Sequence, residues 1–211
     1  MRSRRYNGMI VAPGEHPSSF LSCEKDMEKI VEKLFVEDPY YSTLLKALLV
    51  VNTKDILLPS DGIGEINRNP AYIEKISKMT PKKLHDEGYI RTAPKIKFGE
   101  NEEVKSYLLF TFNNFKPSAT NKHYRDCTVM IDIICHIDHW DLGNYRIRPL
   151  KIAGVIDSIL NGNRLSGIGT FDLLSCNEIV LTEELAGYCL IFSATHGNDD
   201  LIPEVEEDEE E

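Results

Sequence analysis

Residues 127–139 read CTVMIDIICHIDH and contain the clearest secondary-structure signal in the chain. From 127 to 137 every odd position is cysteine, valine or isoleucine, whereas threonine, aspartate and histidine occupy even positions. Successive side chains of a β-strand point to opposite faces of its sheet. The alternation therefore predicts one long, half-buried strand over 127–139, with an apolar face and a largely polar face.

The sequence on both sides of this strand predicts a small sheet. An aromatic, β-prone run at 107–112 precedes it. A helix is predicted downstream, with Pro149 in its first turn and Asn161-Gly162 at its end. Two further strands are predicted over 171–181 and 187–195. The order strand, strand, helix, strand, strand predicts an α+β fold, with a mainly antiparallel sheet that is covered by a helix.

The first hundred residues have a different pattern. Glycine and proline interrupt residues 1–21, whereas apolar residues recur at helical spacing from 23 to 51, with a break at Asp38-Pro39. In residues 52–103 we predict only a short helix that begins after Thr80-Pro81. We therefore expect four segments: an extended arm at 1–21, a helical and irregular extension at 22–103, an α+β domain at 104–196, and an acidic, disordered tail at 197–211.

The negative charge of the chain is concentrated at its C-terminus. The net charge is −10, and Glu204–Glu211 contains seven carboxylates. Without these seven, the chain has 27 acidic and 24 basic residues. A segment of this composition cannot bury apolar surface and is predicted to stay solvated. The remaining chain has no excess of basic residues, so tight electrostatic binding to DNA is not expected.

The cysteines and the N-terminus indicate a reducing compartment. Five cysteines are present, an odd number, and none are spaced as CxxC, which predicts reduced, buried thiols. Cys127 and Cys135 share the apolar face of the predicted strand, so both are expected to be unreactive. The apolar run at 9–12 is too short for a signal peptide, and no stretch is long and apolar enough for a membrane span.

The end of the long strand contains a possible metal-binding motif. His136, Asp138 and His139 match three of the four letters of the zinc motif HxHxDH of metallo-β-lactamase-fold hydrolases, in which the metals activate a water molecule. Ile134 occupies the first position and cannot bind a metal, and His196 is the one histidine that follows the motif. A metal-dependent hydrolase remains an alternative, but we expect no metal, no cofactor and no catalytic residue.

Residues 121–148 contain a dense mixture of positive and negative side chains. Mixed charge on one face of a long strand suits a polar contact between copies of the chain, although an ordinary solvated surface has the same composition. The predicted interface residues are Arg125, Asp132, His136, Asp138, Asp141, Arg146 and Arg148.

The element order and residue types of the C-terminal half resemble a known family. The residues that carry the likeness are Tyr124-Arg125, His136, Arg148-Pro149, Ile152–Leu160, Asn161-Gly162, Leu165, Gly167, Gly187-Tyr188 and Leu190, Ile191 and Phe192. From 104 to 196 the sequence resembles the tail-terminator or tail-completion proteins, the neck-ring proteins of tailed bacteriophages. The first hundred residues have no counterpart in that pattern. The helices predicted at 23–51 would be a clasp onto a neighbouring ring or portal protein, or an elaboration as in neck rings of crAss-like phages.

The resemblance implies a structural protein of the virion, made in the host cytoplasm. Its expected partners are further copies of itself, in a ring of six or twelve, and other neck, portal or tail proteins. DNA would pass through the ring without sequence-specific binding, and the acidic tail would repel it. The resemblance implies no catalytic residues and no membrane. A small intracellular adaptor module is the second alternative.

Overall fold

The computed structural model describes residues 4–6, 9–11, 20, 23–59, 64–92, 105–119, 124–165 and 167–196. The strands in these ranges are β1 (Arg4–Tyr6), β2 (Met9–Val11), β3 (Leu57–Leu58), β4 (Glu65–Ile66), β5 (Ile90–Arg91), β6 (Tyr107–Pro117), β7 (Arg125–His136), β8 (Arg164–Leu165), β9 (Gly169–Thr170), β10 (Asp172–Val180) and β11 (Leu185–His196). The α-helices are α1 (Cys23–Glu32), α2 (Pro39–Val50), α3 (Pro70–Ser77), α4 (Pro81–Asp86) and α5 (Arg148–Leu160). A π-helical turn, Lys33–Glu37, follows α1, and a 3₁₀ turn, Ile137–His139, follows β7.

The centre of the fold is a five-stranded sheet with the strand order β10-β11-β7-β6-β5. β6 and β7 pair antiparallel, as do β10 and β11. β7 and β11 pair antiparallel along their whole length, and β5 adds a short parallel pairing to β6. The predicted α+β class with a mainly antiparallel sheet is therefore confirmed.

The two central strands approach each other closely at Gly187, which pairs with Ile134. A Cβ atom on residue 187 would lie 1.7 Å from the carbonyl oxygen of Ile133. Since no side chain can occupy that space, the pairing of β7 with β11 requires glycine at this position.

Helices α2 and α5 cover one face of the sheet. The side chain of Asp38 accepts hydrogen bonds from the N–H groups of Tyr40 and Tyr41, and Pro39 occupies the first position of α2. Both features favour a helix start. α2 packs against α5, which in turn packs against β7 and β11. The leucines of α2 are fully buried at Leu44, Leu45, Leu48 and Leu49.

One apolar core lies between the sheet and the helices. It includes Leu45 of α2, Leu84 of α4, Phe110 of β6, Ile131 of β7 and Ile156 of α5. The core therefore takes side chains from both sides of the boundary that the sequence predicts at residue 104. None of the described helices is long and apolar enough to cross a membrane.

Most of the predicted helices and strands are confirmed, with shifted ends. β7 ends at His136, because residues 137–139 form a 3₁₀ turn. β6 continues to Pro117, beyond the predicted residue 112. α3 was not predicted, although Asn69 caps it by accepting a hydrogen bond from the N–H of Ala71. The tail at 197–211 lies outside the described residues, as do parts of the arm at 1–21.

The five cysteines are all described, and all are free thiols. Burial raises the pKa of Cys127 to about 12 and that of Cys135 to about 11, which agrees with the prediction that both are unreactive. The expectation that the thiols are buried is wrong for Cys176, because β10 is the edge strand of the sheet and leaves this side chain exposed.

Candidate functional site

The polar cluster predicted at the end of β7 forms around His136. The backbone N–H of Asp138 donates to Nδ1 of His136, 3.3 Å away, and so closes the 3₁₀ turn. Nδ1 also lies 3.5 Å from Oδ2 of Asp138, and Nε2 lies 3.7 Å from Oε2 of Glu184. Glu184 belongs to the turn between β10 and β11, so this histidine links the end of β7 to the neighbouring hairpin.

The third residue of the predicted motif, His139, lies apart from these carboxylates. Its ring centroid is 5.9 Å from that of His136. Burial, the guanidinium of Arg148 and His136 lower the pKa of His139. In the part of the chain that the structure describes, no three histidine, cysteine or acidic side chains lie close enough together to hold a metal ion. In the structure, His136 and Asp138 of this motif close a turn.

Exposed apolar side chains lie close to this cluster along the chain. Ile137 lies in the 3₁₀ turn, and Leu181 directly follows β10, next to the turn that contains Glu184. Val180, the last residue of β10, is also exposed, but it pairs with Ala186, which pairs with Cys135, so its side chain points to the opposite face of the sheet from His136. The backbone N–H of Ile137 donates to the carbonyl oxygen of Glu184, which holds the two segments together. We call the surface of His136, Ile137, Asp138, Leu181 and Glu184 the end patch. The sequence prediction included His136 and Asp138 but missed Glu184 and the apolar members, because these come from a turn much further along the chain or were not considered as surface residues.

The second predicted site residue on the outer face of the sheet is Asp132. It pairs in register with Leu109 of β6 and Cys189 of β11. Burial, a side-chain hydrogen bond with Asp132 and the charge of that carboxylate together raise the pKa of Cys189 to about 12. Asp132 therefore has a partner within the protomer, the thiol of Cys189.

Arg148 lies inside the protomer, at 0% exposure, and therefore cannot take part in the surface contact that the sequence predicted for it. Its guanidinium donates hydrogen bonds to the carbonyl oxygens of Leu48, Val51, Thr53 and His139, over distances of 2.6–2.9 Å. Burial lowers its pKa to about 10, so it stays charged at neutral pH. Arg148 thereby holds the end of α2 against the loop that precedes α5.

The other three predicted residues are distributed around the same loop and at the opposite end of β7. Arg146 donates to the carbonyl oxygens of Leu57 and Leu58, and so also acts within the protomer. Asp141 is exposed and pairs with Lys54, with 2.9 Å between Oδ2 and Nζ, and this hydrogen bond lowers the pKa of Asp141. The guanidinium of Arg125 lies over the ring of Phe20.

The structure therefore brings His136 and Asp138 together in the end patch, places Asp132 on the same face of β7, and leaves the remaining predicted residues elsewhere. The fold and this surface define an α+β protein whose sheet has one face covered by helices and an exposed edge strand.

A family model described as YomW matches residues 42–194, which is more than half of the chain. The chain belongs to the YomW family. This family is phage-derived and of the Bacillus type, and the chain is accordingly a phage-related protein.

Proposed function

We propose that the protein is a structural component of a phage neck or head–tail connector and assembles as a homo-oligomeric ring around the DNA channel. Membership of a phage-derived family supports the general class. The observation that carries the proposal is the combination of the exposed edge strand β10 with the end patch beside it. DNA would pass through the ring without sequence-specific contacts, and other neck, portal or tail proteins would be its neighbours.

The edge strand β10 offers main-chain groups for a contact between copies. β10 has nine residues and pairs with β11 on one side. A bulge between Leu173 and Ser175 interrupts its register, so the regular edge runs from Ser175 to Val180. An exposed edge of this kind is a template for pairing with another chain. The other edge strand, β5, has two residues and offers much less.

The end patch adds side chains to this edge. Ile137 and Leu181 are about half exposed. Interfaces between subunits combine an apolar centre with a polar rim. Ile137 and Leu181 would form the centre, and Asp138 and Glu184 would form the rim. The charges predicted for an interface therefore lie next to apolar side chains that a partner would bury.

Native mass spectrometry of the untagged protein over a range of concentrations tests this proposal. We expect a cyclic oligomer, with six or twelve copies. Replacing both Ile137 and Leu181 with Lys should lower the oligomer fraction by about tenfold or more, because it puts two charges into the buried centre. Ile73→Lys on α3 is the matched control, since Ile73 is also exposed and lies on a different element.

Two outcomes would count against the proposal. An oligomer that is equally stable in the double variant would exclude the end patch as the interface. A chain that is monomeric at every concentration and absent from purified phage particles would exclude the ring itself. A stoichiometric metal ion on a monomer would favour the hydrolase instead, and a metal-free monomer that binds a host protein would favour an adaptor.

A further inference from the structure

Two side chains from the start of α1 meet a third from the end of β11. Nδ1 of His196 lies 2.5 Å from Oδ2 of Asp26, and both residues are buried. Sγ of Cys23 lies 3.7 Å from Nε2 of the same imidazole. The imidazole therefore lies between a carboxylate and a thiol, with one ring nitrogen directed at each.

The thiol of this cluster opens on a pocket. Cys23 is half-buried and lines a pocket of about 830 Å³. Part of the pocket wall is apolar and is formed by Met27, Val31 and Phe112. Three acidic residues of α1 line the same pocket: Glu24, Glu28 and Glu32. The pocket thus suits a compound with an apolar group. The acids disfavour an anionic compound, so a neutral or cationic one fits best.

We propose that Cys23 is a nucleophile that accepts an acyl group from a neutral or cationic ester or amide bound in this pocket. His196 is the base, and Asp26 is the residue that positions it. A nucleophile, a base within reach of it and a third group that orients the base are the arrangement by which proteins activate thiols and hydroxyls. This activity does not depend on the proposed ring, and the sequence predicted no catalytic residue.

The step starts with transfer of the Sγ proton of Cys23 to Nε2 of His196. The sulfur electron pair then forms a bond to the carbonyl carbon, and the π pair moves to the carbonyl oxygen. When that pair returns, the bond to the leaving oxygen or nitrogen breaks, and the leaving group takes the proton from Nε2. The products are a thioester on Cys23 and an alcohol or amine. Water then hydrolyses the thioester to the acid and restores the thiol.

The surroundings of the cluster have opposite effects on the negative charge that develops during the reaction. Cys23 is the first residue of α1, and the partial positive charge of a helix N-terminus favours a developing oxyanion. Glu24 and Glu28 of the pocket oppose this effect, and Lys82 and His85 line the pocket as well. Nζ of Lys29 lies 3.8 Å from Oδ1 of Asp26. Protonated His196 would place a positive charge 3.7 Å from the sulfur.

The test is acylation of the full-length protein by p-nitrophenyl butyrate, a neutral ester with an apolar acyl group. Peptide mapping by mass spectrometry would give the rate of thioester formation at each cysteine. Cys176 is an internal control, because it is exposed on β10 and burial raises its pKa. We expect Cys23 to be acylated faster than Cys176 by about 100-fold, the lower range for a positioned base.

Two variants test the assigned roles. His196→Gln should abolish the difference between Cys23 and Cys176. Asp26→Asn should slow acylation of Cys23 and move the low-pH limb of its profile to lower pH, because an imidazole without a carboxylate partner is protonated less readily. Cys176 should be unchanged. Because either variant could fail to fold, the comparison of the two cysteines in the unmodified protein decides on its own. Equal acylation rates of Cys23 and Cys176 from about pH 6 to about pH 9 would overturn the proposal.

Discussion

At the scale of single residues, Arg148 has the largest predicted effect on stability. Replacing it with Met keeps an apolar stem but removes the donors that the carbonyl oxygens of Leu48, Val51, Thr53 and His139 use. Buried acceptors that lose their donors are costly. We expect Arg148→Met to lower the free energy of unfolding by about 3–5 kcal/mol in urea denaturation.

Two further variants make this prediction specific to the buried guanidinium. Arg148→Lys should still lose about 2 kcal/mol or more, because a compact ammonium cannot reach carbonyl groups in several directions. Arg68 is exposed and pairs with Glu65, so Arg68→Met should change the stability by less than about 0.5 kcal/mol. A similar small change in Arg148→Met would show that the end of α2 does not need this side chain.

The single-residue scale is also where prediction from the sequence was least successful. Arg148 lies in a charged stretch, and three of its four partners are backbone carbonyls 95–100 residues earlier, which no local pattern reveals. Cys23 and His196 are separated by 173 positions. The alternation in β7 did predict that Asp132 and His136 lie on the same face of the sheet, because this depends on local geometry alone.

At the scale of elements, α2 depends on its N-cap. Asp38 Oδ1 lies 3.0 Å from the N of Tyr40 and 2.9 Å from that of Tyr41. Asp38→Ala removes this acceptor and should lower the free energy of unfolding by about 1–2 kcal/mol, whereas Asp38→Asn should cost a few tenths. Chemical denaturation of both variants, with exposed Asp86→Ala as the control, measures the difference. An alanine variant as stable as the asparagine variant would contradict a capping role.

The elements were predicted well wherever side-chain periodicity was long. β7 and α5 have a dozen or so residues and a regular apolar face, so their patterns are hard to misread. α3 begins with Asn69-Pro70, the same kind of signal that revealed α4 at Thr80-Pro81. It was missed because it is short and buries little, with Ile76 as its buried residue. β5 has two residues and depends wholly on its pairing with β6.

At the scale of the whole molecule, residues before and after position 104 share one apolar core, which argues against two independently folding domains. The core face of the sheet, including Leu108, Phe110 and Ile131, packs in one cluster with α2 and α4. Sequence patterns predicted the elements on both sides of residue 104 but not this packing, since periodicity says which face is apolar and not what covers it. A fragment of residues 104–211 would therefore expose part of its core face to water.

We expect this fragment, expressed alone, to aggregate or to lack a cooperative urea transition. Coexpression with residues 1–103 should restore a soluble complex with a cooperative transition, because the second fragment supplies α2 and the rest of the cover. Circular dichroism during urea titration, together with size-exclusion chromatography, distinguishes the two states. A monomeric 104–211 fragment that unfolds cooperatively on its own would show that the boundary predicted from the sequence separates independent domains. In that case α1 to α4 would be an accessory layer, available to contact a neighbouring subunit without loss of the sheet.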